Sequence, residues 1–249
     1  MADRERTPRA VAIGDLTGVG RCALAAALPV LGAMGVQACP LPSAVLSTHT
    51  GGFGQAVFAP DMTEFMRDTL LHWESLGLSF DAVYSGYLVT ARQVELVRAL
   101  MLRQQQRGCR LCVVDPAMAD DGRLYQGLGG EMPRAMRELC AQATVITPNM
   151  TEAALLTGRP YLDQPLNRRQ IAALLKALCA LGCEQALITG VPLSGGRRAN
   201  VCMRAGDEGF FLCEYAPVNI ALPGAGDLFS AALTGAMLLG ESVSLAMAR

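Results

Sequence analysis

Leu111-Cys112-Val113-Val114-Asp115-Pro116-Ala117-Met118-Ala119-Asp120 is the stretch that decides the fold. An unbroken valine-rich apolar run suits a strand buried on both faces of a parallel sheet. It stops at an aspartate and a proline, which leaves a polar turn at the strand's C-terminal end. The same grammar recurs along the chain. Val11-Ala12-Ile13 ends at Gly14-Asp15, and Ala82-Val83-Tyr84-Ser85 at Gly86-Tyr87. Thr144-Val145-Ile146 ends at Thr147-Pro148-Asn149, and Ala186-Leu187-Ile188 at Thr189-Gly190. Helical patterns over 21–34, 63–76, 90–107, 131–142 and 167–181 separate these runs. Such alternation predicts an α/β protein with a mostly parallel central sheet and helices on both faces.

Other segments fill in around this frame. A strand over 36–46 is expected to be interrupted by Pro40 and Pro42, and residues 47–54 to form a polar loop. Phe65, Met66, Leu70 and Trp73 give the 63–76 helix an apolar face. Residues 199–204 and 209–215 flank Gly206-Asp207 and predict an antiparallel hairpin at the sheet edge. With no internal repeat and no linker, residues 1–249 read as a single domain, the charged first nine lying outside its core.

Composition excludes several function classes. The chain has 249 residues, 51% of them hydrophobic, and a net charge of −1, so no basic footprint for nucleic acid exists. No apolar run approaches the roughly 18 residues of a membrane span, and the charged N-terminus is no signal peptide. Nine cysteines without a secretory signal point to free thiols in a reducing, cytoplasmic setting. Cys109-Arg-Leu-Cys112 leads into a strand where positions three apart face opposite sides, so buried thiols fit it better than zinc. Lys176 is the only lysine and there is no GxxxxGK[ST], which excludes a P-loop. No GxGxxG follows the first strand, which argues against a nicotinamide oxidoreductase.

The polar strand ends belong on one edge of an open parallel sheet, where ligands bind. Near the C-terminus, Pro223-Gly224-Ala225-Gly226-Asp227 precedes an alanine-rich helix. Two readings of it stand: a capped helix start, or an anion site whose aspartate accepts a proton from an attacking nucleophile. Asn149 and Glu152 carry two readings as well. Their spacing suits a capping box, while Asp115, Asn149 and Glu152 together suit a hydrated Mg²⁺ partly held by phosphates. Anion hole, acidic cluster and base together indicate phosphoryl transfer.

These residues carry a family resemblance that runs from about Val11 to the last residue. Gly224-Ala225-Gly226-Asp227 resembles the G-[TA]-G-D signature of ribokinase-like kinases, and Thr147-Pro148-Asn149-x-x-Glu152 resembles their magnesium motif. Asp115-Pro116-Ala117-Met118-Ala119-Asp120 is similar to the D-P-V-[ML]-G-D stretch of the vitamin-kinase branch. Ser47-Thr48-His49-Thr50-Gly51, Ser85-Gly86-Tyr87-Leu88 and Gly18-Val19-Gly20-Arg21-Cys22 resemble pyridoxal/pyridoxamine kinases. The resemblance implies a three-layer ribokinase-like sandwich that phosphorylates the 5′-hydroxymethyl group of pyridoxal, pyridoxine or pyridoxamine with Mg²⁺ and ATP. It makes Asp227 the base, and Gly224, Ala225 and Gly226 the anion hole. Asp115, Asn149, Glu152 and Thr189 would serve the nucleotide phosphates, with Asp115 and Glu152 on the metal. Asp15, Ser47, Thr50 and Tyr87 would line the vitamin pocket, Asp15 standing where many relatives carry a serine. A homodimer is implied too. Ala119 and Ala225 depart from the commoner glycine and threonine. Relatives generally continue for another helix or two beyond the point where Arg249 ends this sequence, so the adenine wall is where this chain is expected to differ. Two rival readings are a hydroxymethylpyrimidine kinase, whose glycine-rich S-x-G-G-A-G start is missing here, and a non-catalytic pyridoxal-binding protein.

Overall fold

A computed structural model of the chain describes residues 6–49, 53, 57, 62–218 and 223–248. Its order is β1 (Arg9–Val19), α1 (Leu24–Ala33), β2 (Gln37–Thr48), α2 (Thr63–Ser75), β3 (Ala82–Ser85), α3 (Ala91–Gln106) and β4 (Leu111–Val114). A small hairpin, β5 (Ala119–Asp120) and β6 (Arg123–Leu124), leads to α4 (Met132–Cys140), β7 (Val145–Ile146), α5 (Met150–Thr157) and α6 (Arg168–Cys179). Then come β8 (Gln185–Pro192), β9 (Arg198–Arg204), β10 (Phe211–Tyr215), α7 (Ala225–Leu238) and α8 (Val243–Met247). One eight-stranded sheet has the order β10-β9-β8-β7-β4-β3-β1-β2. The pairings from β2 to β8 are parallel, and β9 and β10 add the expected antiparallel edge hairpin.

Burial on both strand faces explains the apolar runs. Val11 and Ile13 of β1 face the layer that holds α2 to α6, while Ala10 and Ala12 face α1 and α7. The small alanines let α1 approach the sheet closely, and α8 closes the same face beside Val145 and Leu187. The result is a three-layer ribokinase-like sandwich. After β2 the chain crosses back over β1 to build β3, so strand order reverses between β1 and β3. Open α/β sheets bind ligands outside the strand ends at such a reversal.

Several expectations need correction. β1 does not end at Ile13. It runs to Val19 beside β2, with a register shift between Gly14 and Leu16, so Asp15 sits in a bulged strand rather than a loop. Pro40 and Pro42 do not interrupt β2, because β2 is the outermost strand and a missing donor there costs no ladder bond. Ser47 and Thr48 belong to that strand, and Thr50 lies outside the described residues. On α2, Met66 is buried and Leu70 and Trp73 pack on the core. Phe65, one residue round the helix from Met66, is 50% exposed. Cys109 and Cys112 are both buried, and Cys109, which precedes β4, donates its thiol towards the Asp81 and Leu111 carbonyls at 3.5 Å each.

Candidate active site

A cleft of about 1400 Å³ opens along the C-terminal edge of the parallel strands. Asp15, Tyr87, Asp115, Asn149, Glu152, Thr189 and the 224–227 turn all line it. Ser47 is not brought there. Its hydroxyl accepts from the Val57 amide at 2.9 Å on an exposed stretch of β2.

At the start of α5, the capping box forms in full. Asn149 Oδ1 accepts from the Glu152 amide and Glu152 Oε2 from the Asn149 amide, each at 2.9 Å. The other carboxylate oxygen, Oε1, accepts from the amides of Met118 at 3.1 Å and Ala119 at 3.5 Å. Asn149 Nδ2 donates to the Ala119 carbonyl at 2.8 Å. The α5 terminus and the loop after β4 are thereby pinned together. Capping and cleft lining are both true of these two residues.

At the start of α7 the arrangement differs. Gly224, the N-cap, is left-handed at φ 83°, and a Cβ there would meet the Arg21 carbonyl oxygen at 2.6 Å. Among the described residues no side chain caps this helix, which leaves its first-turn N–H groups available to an anion. Asp227 Oδ2 accepts from the Ala23 amide at 2.7 Å, which fixes the carboxylate and leaves Oδ1 without a protein donor among the described residues. Ala23 itself stands at φ 47°, ψ −127°, a conformation that favours glycine. Ser230, one turn on, donates to Asp115 Oδ2 at 2.9 Å and so accepts from the Thr147 hydroxyl at 3.0 Å.

The strand-reversal end holds Asp15 and Tyr87. Asp15 is 5% exposed, and the Thr17 hydroxyl donates to its Oδ2 at 2.5 Å. The Tyr87 and Tyr125 rings stand 6.3 Å apart, and the Cys22 thiol borders the cleft 3.5 Å from the Thr17 hydroxyl. Ser230, Tyr125 and Cys22 were not foreseen from sequence. Ser230 could have been found, being the polar residue three places after Asp227 on the same helical face.

Electrostatically the cleft is overloaded with acids. Burial raises the pKa of Asp15, Glu152 and Asp227 above the usual carboxylate range. Asp115 is pushed up to about 7, by burial and then by the charge of Asp227. Burial, and then Asp15, push the Tyr87 phenol to about 12. No arginine or lysine forms an ion pair with these four carboxylates among the described residues. Hard oxygen donors with uncompensated negative charge fit a divalent cation such as Mg²⁺. No cluster of three or more His, Cys, Asp or Glu residues able to hold a metal occurs among the described residues.

An uncapped helix start with a half-buried aspartate, facing acidic strand ends across a ribokinase-like sheet, defines a small-molecule phosphotransferase class. Residues 22–249 match the family described as phosphomethylpyrimidine kinase, and the chain belongs to it. A Bacteroides thetaiotaomicron protein, provisionally named a phosphomethylpyrimidine kinase and crystallised in a form with pyridoxal, is 34% identical. It superposes with a TM-score of 0.91, over 97% of this chain and 84% of that one. Pyridoxal kinase from Lactobacillus plantarum is 33% identical with a TM-score of 0.88, over 98% of this chain and 85% of that one. Pyridoxine kinase from Bacillus subtilis is 31% identical over 172 residues, 69% of this chain and 61% of that protein's length.

Proposed function

We propose that the chain is a pyridoxal kinase that transfers the γ-phosphoryl of ATP to the 5′-hydroxymethyl group of vitamin B6 forms. The observation that carries this is the Asp227 carboxylate. One oxygen is held by the Ala23 N–H and the other is uncommitted at an uncapped helix start. In the reaction Asp227 takes the hydroxyl proton as the alcohol oxygen bonds to the γ-phosphorus and the bond to the ADP oxygen breaks. The N–H groups of the 224–227 turn receive the charge on the transferring group. Asp115, with one oxygen still open, would hold Mg²⁺, and Glu152 and Asn149 would act through its waters. The bound ion would neutralise phosphate charge. Thr189 serves the nucleotide phosphates at the bulge of β8. Asp15 faces the vitamin ring and Tyr87 packs against it, with Tyr125 nearby.

The deciding experiment compares kcat/KM for pyridoxal and for hydroxymethylpyrimidine with MgATP. Pyridoxal is expected to be the better substrate. A strong pyrimidine preference overturns the vitamin reading, and the absence of any product from either alcohol favours the non-catalytic binding protein. No described helix is long and apolar enough to cross a membrane. The family resemblance supports a homodimer and the free cysteines a reducing, cytoplasmic setting, and light scattering on the purified protein checks its mass.

A further inference from the structure

β8 does not run straight into the edge hairpin. Its register with β9 shifts between Ile188 and Val191, so Thr189 and Gly190 bulge at the cleft. The bulge is held from β9. Asn200 Oδ1 accepts from the Gly190 amide at 3.2 Å, and Arg198 Nη1 donates to the Gly190 carbonyl at 3.4 Å. Gly190 is left-handed at φ 68°, and a Cβ there would stand 3.5 Å from Arg198 Nη1 and 4.0 Å from the Tyr215 hydroxyl. Those are ordinary contact distances, so it is the positive φ, not crowding, that suits glycine at the bulge.

Arg198 has no carboxylate partner among the described ion pairs, although its neighbour Arg197 pairs with Glu214 at 2.8 Å. One long hydrogen bond anchors this exposed side chain, which lines the same cleft as Asp115, Glu152 and Asp227 and keeps further donors free. An unpaired guanidinium in an otherwise acidic cleft awaits an anion. The vitamin is not that anion. Arg198 on β9 lies four strand steps from β3, roughly 19 Å at the usual strand spacing, whereas Tyr87 follows β3 directly. The anion in reach is the far part of a polyphosphate whose transferring end lies at Asp227. Arg123, the other arginine lining the cleft, sits on the small β5–β6 hairpin, and its side chain makes no hydrogen bond or ion pair among those described.

We propose that Arg198 clamps the non-transferred phosphates of the nucleoside triphosphate, held in place by the Gly190 bulge. This rests on the kinase reading and deepens it. A planar guanidinium matches two phosphate oxygens at once, which an ammonium group does not.

The test measures calorimetric binding of MgADP, steady-state KM for MgATP and for pyridoxal, and melting temperature, in wild type, Arg198→Ala, Arg198→Lys, Arg197→Ala and Arg123→Ala. Arg198→Ala is expected to weaken MgADP binding and raise KM for MgATP by roughly 10- to 100-fold, with KM for pyridoxal unchanged. Arg198→Lys should recover part of the loss, and Arg197→Ala should match wild type. Unchanged MgADP affinity in Arg198→Ala overturns the proposal. So does equal weakening of both substrates with a lower melting temperature, which marks a strut for β8. An effect in Arg123→Ala but not in Arg198→Ala overturns it too. If wild type binds MgADP through Arg198 yet phosphorylates no vitamin, the clamp stands and the substrate reading falls.

Discussion

Two helix starts face each other across the cleft, and each carries an acid at the third helical position. On α5 the acid is Glu152 and on α7 it is Asp227. Asn149 caps α5 with its side chain, and backbone amides from two segments occupy both Glu152 oxygens. Gly224 caps α7 with nothing, and one distant amide holds one oxygen of Asp227. The difference is one of commitment. A fully bonded carboxylate ties elements together, and one left half-bonded at an open helix terminus is available for proton transfer.

The sharpest way to break this comparison is Asp227→Asn. It should lower kcat by about 10²- to 10⁴-fold, while pyridoxal affinity stays near wild type and the melting temperature does not fall. Substantial residual turnover would remove Asp227 as the base. Glu152→Ala should do the reverse in stability. It strands buried amides and opens the capping box, at a cost of about 3 kcal/mol, or a fall in Tm on the order of 6–12 °C. A Glu152→Ala protein that melts with wild type would show that the box holds nothing together.

A smaller effect follows from the charge that the uncommitted acid exerts. Asp115 titrates near 7 in the folded chain, above its ordinary 3.8, because of burial and Asp227. Between those values the folded state keeps a proton that the unfolded chain releases, so ligand-free stability falls as pH rises from about 4 to about 7. Glu152 and Asp227 shift in the same direction and add to that slope. Asp115→Asn should therefore gain Tm relative to wild type by a few degrees at pH 8 and little at pH 5. A difference that does not vary with pH would mean that Asp115 is ionised throughout.

Much of this was legible in the sequence because it rests on local pattern. Valine-rich runs closed by Asp115, Asn149 or Thr189 announce parallel strands, and the polar ends announce the edge where ligands bind. The extension of β1 was hidden by its composition: Gly14, Gly18 and Gly20 look like a loop, and only pairing with β2 makes 16–19 a strand. Asn149 and Glu152 supported two readings because one side chain can cap a helix and still border a cleft. Ser230 reaches Asp115 across 115 residues, and Arg198 lines the cleft beside the bulge at Gly190, to which it is hydrogen-bonded. Contacts of that kind leave no periodic trace.

The peptide that donates to Asp227 belongs to Ala23, whose backbone a glycine would adopt more easily. Holding a non-glycine residue there costs about 1–3 kcal/mol, which the packing of α1 against α7 must offset. Selection for heat resistance would find Ala23→Gly an inviting change. It would loosen the joint that aims the base, so tolerance of heat and speed of turnover pull in opposite directions at one peptide bond.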